Sequence, residues 1–470
     1  MFIMKKVILL LLTTISFYGQ VLERIAPIND LNVFNFGNSL AHHNNDFIVG
    51  GFDAAPPTGN FRFYALEKTF SGFVQNQIIL PPEIGENYTE AIEVENDFLF
   101  IGSKNNSSNA SNGGAVYVFK KTGSTWSYIS KIQPSSLSTG ENFGTYISFY
   151  NNQVFIGSKN YNSNGAIYVF DKIGDTFAFN QILTVNYNQN FGDFIDIEND
   201  FLITTNLNTT TNESSVISYE KVSGSWLLAN EFNIGNLGNN KNLKVNYSNS
   251  QLFISRDGNP TPSPTDRKID IYNFQSNNWI YDSFLEHAIG DYFEASVNVD
   301  SDKMIISALG FYILQMERKN ITLFYKKISG NWILQNSYVG QSSFNEDNFG
   351  NLNKIKGENI VFGNDYERWQ PTPPFSSPNG GAYTIDTTLS SNLYSKNEVE
   401  IYPNPVQSIL NIENSSGFDI NQITITDING RILFTTSSLT VDFSNYSKGI
   451  YLLKITHTNG NIYTKKILKN

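Results

Sequence analysis

The sequence predicts an all-β protein: a seven-bladed β-propeller followed by a small, immunoglobulin-like β-sandwich. Three observations carry this. A unit of roughly fifty residues recurs through most of the chain, the period of propeller blades. A full copy holds four short runs rich in Val, Ile, Phe and Tyr, separated by Asn, Gly and Ser, which is the composition of strands and tight turns. Past Asp386 the repeat stops, and a different alternating pattern follows a polar linker. Aromatics at 14% against 16% charged residues fit heavily packed sheets.

The unit is clearest from Asn142 to Ile182. Asn142-Phe143-Gly144 opens it, Gln153–Ser158 forms the second run, Gly165–Phe170 the third, and Phe177–Ile182 the fourth. The aromatic before the first glycine recurs as Phe36, Tyr88, Phe143, Phe191, Lys241, Phe293 and Phe349, so the fifth copy is worn. Seven copies give seven blades. The seventh ends after its third strand, near Asp386. Its missing fourth strand is supplied by the N-terminus, because Val21–Pro27 matches Tyr128–Pro134, the fourth strand of the second copy. Pairing of that kind closes the ring and removes two exposed edges.

Residues 1–19 read as a signal peptide: Lys5-Lys6, the apolar run Val7–Leu12, and small residues at Ser16 and Gly19. The apolar run is too short for a transmembrane anchor. The propeller then spans 20–386, a linker 387–398, and the sandwich 399–470. The chain has no Cys, so it is expected to be exported yet held together without disulfides. A formal charge of −11 and pI near 5.0, with no basic run, argue against nucleic acid as a partner.

The units resemble FG-GAP repeats of the integrin-α type, carried by Phe143-Gly144, Gly157-Ser158 and Gly165–Phe170, and again by Gly113–Phe119. That resemblance implies a binding scaffold with varied loops on one face. Calcium loops known in the integrin members are not supported here, because Lys104–Asn112 and Asn160–Asn164 offer Asn and Ser where calcium wants several carboxylates. No cofactor is expected. Residues 399–470 resemble the type A C-terminal sorting domain of the Bacteroidota type IX secretion system. Strands are expected at Ile409–Glu413, Ile423–Ile428, Arg431–Thr435, Leu439–Phe443, Ile450–His457 and Ile462–Leu468, with Asn429-Gly430 and Asn459-Gly460 as hairpin turns. Pro403, Asn404, Pro405, Gly430, Gly449, Tyr451, Lys465 and Lys466 stand at the positions of its sorting signal. The resemblance implies export to the medium or the outer cell surface through the periplasm, with the type IX machinery as partner.

Chemistry is sparse. His42, His43, His287 and His457 are the only histidines. The adjacent pair His42-His43 reads as a solvated loop and not a metal site, and no Ser-His-Asp set is evident. Asp53, Asp257, Asp266 and Glu367 come from different copies and are the carboxylates a polysaccharide-acting propeller enzyme would use. Trp126, Trp226, Trp279 and Trp332 share one repeat position with Phe177, which points to packing between blades. Trp369 stands outside the repeat register, in the long loop 363–381. With the loops 256–267 and 308–320 it gathers Arg256, Asp257, Arg267, Tyr312, Arg318, Tyr366, Arg368 and Trp369 on one sector, the residue types of a protein or glycan contact. The expected function is therefore non-catalytic binding or adhesion, the enzyme being the rival.

Overall fold

The computed structural model describes residues 23–25, 33–53, 60–69, 72–83, 88–89, 91–185, 191–208, 210–211, 213–236, 243–255, 268–286, 297–312, 317–339, 349–350, 352–364, 380–386, 399–414, 420–427, 431–457 and 462–469. The chain divides into two units, Met1–Thr387 and Thr388–Asn470.

The first unit is a seven-bladed propeller. Each blade is a four-stranded antiparallel sheet, and in six of them the strands follow chain order. Blade 3 is representative, with Phe143–Tyr150 innermost, then Gln153–Ser158, Ala166–Ile173 and Thr176–Leu183. Blade 7 breaks the order: Asn353–Lys356, Asn359–Asn364 and Gly381–Asp386 are followed by Glu23–Ile25 from the other end of the chain. The register is Glu23 to Thr384, Arg24 to Tyr383 and Ile25 to Ala382. The ring thus closes through the N-terminal strand.

The repeated Phe-Gly, Gly-Ser and Gly-Ala pairs are one joint between neighbouring blades. Phe143 and Phe191 are fully buried. Each pairs in parallel with the glycine before the third strand of the preceding blade, Gly114 with Phe143 and Gly165 with Phe191. A Cβ on Gly165 would lie 2.1 Å from the Phe191 carbonyl oxygen, and one on Gly157 would lie 2.0 Å from that of Gly192. Gly165 also takes φ +100°, where side chains are disfavoured. The motif therefore marks places where two backbones pass too closely for any side chain. The same joint recurs at the closure, where Phe36 pairs with Gly380.

The repeated tryptophans pack one blade on the next, as second residues of their fourth strands. Trp226 of blade 4 meets Phe155 of blade 3 edge-on at 5.3 Å, and donates from Nε1 to Gln153 Oε1 at 3.0 Å. Trp332 meets Phe253 of blade 5, and Phe177 meets Phe98 and Phe100 of blade 2. Gln181 clamps Trp226 from the neighbouring edge through both of its amide atoms.

Two expectations are corrected. The stretch 308–320 is no long loop: strands Lys303–Tyr312 and Glu317–Ile328 pair as far as Tyr312 with Glu317, leaving 313–316 as the connection. Backbone pairing captures the polar ends because each added pair satisfies its amides. His42 is not solvated. It lies in strand Val33–His43, 4% exposed, stacked on Phe47.

The second unit is a two-sheet sandwich. One sheet joins Val399–Tyr402, Ile409–Asn414 and Thr440–Asp442; the other runs in the order Ile432–Thr436, Ile420–Asp427, Gly449–His457, Ile462–Lys469. Leu410, Ile423, Ile425, Phe443, Leu453, Ile455 and Ile467 form its core, each fully buried. The strand expected at Leu439–Phe443 contracts to Thr440–Asp442. Both Asn-Gly turns lie outside the described residues.

Candidate functional site

Of the eight loop residues singled out by sequence, Arg256, Asp257, Arg267, Tyr366, Arg368 and Trp369 lie outside the described residues. Tyr312 and Arg318 are placed by their backbones on the blade 6 hairpin, Tyr312 opposite Glu317 and Arg318 opposite Phe311. Among the rival enzyme's carboxylates, Asp257, Asp266 and Glu367 are likewise outside, and Asp53 ends the second strand of blade 1.

The structure brings together a different group, which sequence reasoning missed. All seven innermost strands line an axial channel. Pairing with the second strands puts Ala41, Glu93, Ser148, Asp196, Asn246, Asn298 and Lys354 at one level around it. The signal was present as a polar residue between two apolar ones in most copies, but such alternation is also that of any half-buried strand.

Toward the hairpins joining first and second strands, paired groups stitch neighbouring blades together around a second cavity of about 310 Å³. Asp196 accepts from Asn246 Nδ2 at 2.8 Å and from the Tyr247 amide at 2.7 Å. Asn246 in turn accepts from the Val299 amide at 2.9 Å. Glu198 accepts from the Asn249 amide and Asp300 from that of Gly357, each at 2.6 Å. Every one of these bonds ties a blade to the next. Lys354 lies 3.9 Å from Glu93, and Lys356 is 3.8 Å from Glu93 and bonded to Glu95. These two lysines of blade 7 reach blade 2 past blade 1, where Ala41 leaves room.

Burial dominates the titration of this end. It raises the Asp196 carboxyl to about 6, against the amide bonds that pull it down. Burial, and then the Asp196 and Glu93 charges, raise the Tyr146 hydroxyl well above its ordinary value. His42 is lowered to about 3, first by burial and then by the charges of Lys356 and Lys354.

The opposite end, where second strands pass to third strands, opens into a cavity of about 480 Å³. Asn38, Tyr146, Lys159, Asp193, Phe194, Asn206 and Lys244 are among its lining residues. Lys159 holds Asp193 Oδ2 at 2.6 Å. Oδ1 of Asp193, Oδ1 of Asn38 and Oδ1 of Asn206 are buried and no protein group hydrogen-bonds to them. Asn206 is only 3% exposed.

Among the described residues no cluster of three or more His, Cys, Asp or Glu is arranged to hold a metal ion. In the loop 104–112, Asn106 Oδ1 is already taken by the Ser108 amide, the Ser108 hydroxyl and Gln133. No helix among the described residues is long and apolar enough to cross a membrane.

In the sandwich, Asn404 Oδ1 accepts from the Leu468 amide at 2.8 Å, which ties the exposed Pro403-Asn404-Pro405 segment to the last strand. Tyr451 is buried and donates to the Ser447 carbonyl, Gly449 opens its strand, and Lys465 and Lys466 pair with Leu453 and Leu452. Gly430 lies outside the described residues. Residues 400–470 match the family model described as the secretion system C-terminal sorting domain. The C-terminal unit matches a secretion-system sorting domain. Carriage of such a domain marks the chain as cargo for export. No curated protein matches the chain. Solved structures resembling it include Sqt1 from Chaetomium thermophilum, at 10% identity over 78% of this chain and 99% of that one, with a TM-score of 0.45. Hydrazine synthase of Kuenenia stuttgartiensis aligns at 11% identity over 64% and 80%, with a TM-score of 0.43. A protein from Lactobacillus plantarum aligns at 11% identity over 64% and 84%, with a TM-score of 0.42. At such scores these likenesses carry no argument about function.

Proposed function

We propose that this chain is an extracellular or cell-surface binding and adhesion module, delivered by the type IX secretion system of a Bacteroidota cell. The carrying observation is the sorting-domain match at residues 400–470 behind a closed propeller. The FG-GAP assignment of the blades is part of this reading, and the interlock of Phe143, Gly144, Gly157 and Gly165 across blades supports it. The partner is an extracellular protein or glycan. Its contact sector is assigned to Arg256, Asp257, Arg267, Tyr312, Arg318, Tyr366, Arg368 and Trp369. Strands bounding those segments end at the face where the channel opens.

Two measurements test it. A reporter flanked by residues 1–20 and 398–470 should reach the medium or surface of a type IX-competent host; retention in the periplasm rejects the export route. Trp369→Ala should weaken binding to surface glycans or proteins at least about tenfold, the effect of losing an aromatic anchor, with the melting temperature unchanged. A polysaccharide hydrolase would instead lose turnover outright on removal of one carboxylate.

A further inference from the structure

We infer that the open end of the axial channel is a saccharide subsite, a conclusion that rests on the reading of the propeller as a binding module. A buried acceptor without a donor is costly, and in folded proteins most such groups find one. Here three share one cavity: Oδ1 of Asn38, of Asp193 and of Asn206. No protein group donates to them, so a ligand that brings donors would find three acceptors in place. A lone cation does not fit, because calcium gathers six to eight oxygens around one point. Asn38 belongs to blade 1, whereas Asp193 and Asn206 belong to blade 4, so the acceptors face each other across the ring.

A ligand spanning both walls must carry hydroxyl or amine donors on opposite edges. A pyranose does so, with hydroxyls pointing outward around its ring. The cavity volume of about 480 Å³ suits one or two such rings. Tyr146 and Phe194, whose rings lie 5.7 Å apart, supply apolar surface for the C–H face of a sugar. Lys159 already neutralises Asp193, so the blade 4 wall does not demand a cationic ligand. Asn206 replaces Ser158 of the preceding blade, whose hydroxyl is spent on Glu141. The position is therefore not fixed by the repeat: blade 3 has Ser158 there, blade 4 Asn206 and blade 7 Asn364.

The test titrates the full chain by calorimetry with two probe sets, neutral hexose oligosaccharides and oligosaccharides containing uronic acid. Saturable binding to either set is expected, weakened at least tenfold by Asn206→Leu and by Asn38→Leu, with melting temperatures not lowered. Asn206→Ser, carrying the residue found in blade 3, should weaken binding likewise if the leucine variant folds poorly. No saturable binding to either set overturns the inference, as does binding that both Asn206 variants retain. In the latter case the chain is still a binding module acting through another surface, so this subsite falls alone. Failure of the export reporter would instead count against the export route.

Discussion

The two ends of the axial channel are lined by the same seven blades and differ in how their acceptors are met. At the hairpin end Asp196, Glu198, Asn246 and Asp300 each accept from the neighbouring blade. At the open end Asn38, Asp193 and Asn206 present oxygens with no donor. A polar channel is thus not in itself a site. Acceptors answered by protein, like Asp196 and Asn246, stitch blades; acceptors that no protein group answers, like Asn38 and Asn206, are left for a ligand.

The comparison presumes a common scaffold, and the scaffold gives the largest effect. Phe143→Ala should cost about 3–5 kcal/mol, the range for emptying a buried phenylalanine site, measured by denaturant unfolding. A loss below about 1 kcal/mol, typical of surface changes, would mean the inter-blade joint does not hold the ring.

Acid should attack the stitched end. His42 has a folded pKa of about 3, below the unfolded 6.5. Stability is therefore lost as pH falls from 6.5 toward 3, by up to roughly 4 kcal/mol. His42→Leu should flatten that slope. Asp196 runs the other way: its folded pKa of about 6 exceeds 3.8, so its ionisation costs stability as pH rises between those values. Asp196→Asn should raise the melting temperature at pH 7 and lose that advantage below pH 4. An unchanged pH profile in both variants would show that neither group is buried as the structure places it.

The sharpest contrast uses one substitution twice. Asn246→Leu strands the Val299 amide and should cost about 1–3 kcal/mol. Asn206→Leu removes an acceptor that nothing answers, and should leave stability unchanged or slightly higher. Equal losses at both positions would erase the distinction between the ends.

Much of this fold was legible in the chain itself. The blades repeat, so weak strand signals reinforce one another, and Val21–Pro27 betrays the closure by matching Tyr128–Pro134. The sandwich strands followed from alternation. The hairpin of Lys303–Tyr312 and Glu317–Ile328 was misread because Glu317, Arg318 and Lys319 look like loop residues, yet paired backbones tolerate them. His42 was misread as solvated, although strand alternation alone sends one of two adjacent residues inward. The open end of the channel was illegible for a plainer reason. Asn38 and Asn206 are far apart in sequence and meet only when the ring closes, and an asparagine's missing partner cannot be seen before its neighbours are known.

A crystal structure of the full chain grown with the tightest-binding oligosaccharide tests the central claim most directly. The account expects a sugar ring in the open end of the channel, its hydroxyls within hydrogen-bond distance of Asn38, Asp193 and Asn206. A sugar seated elsewhere, with those three oxygens bonded to protein donors or to water alone, would contradict it.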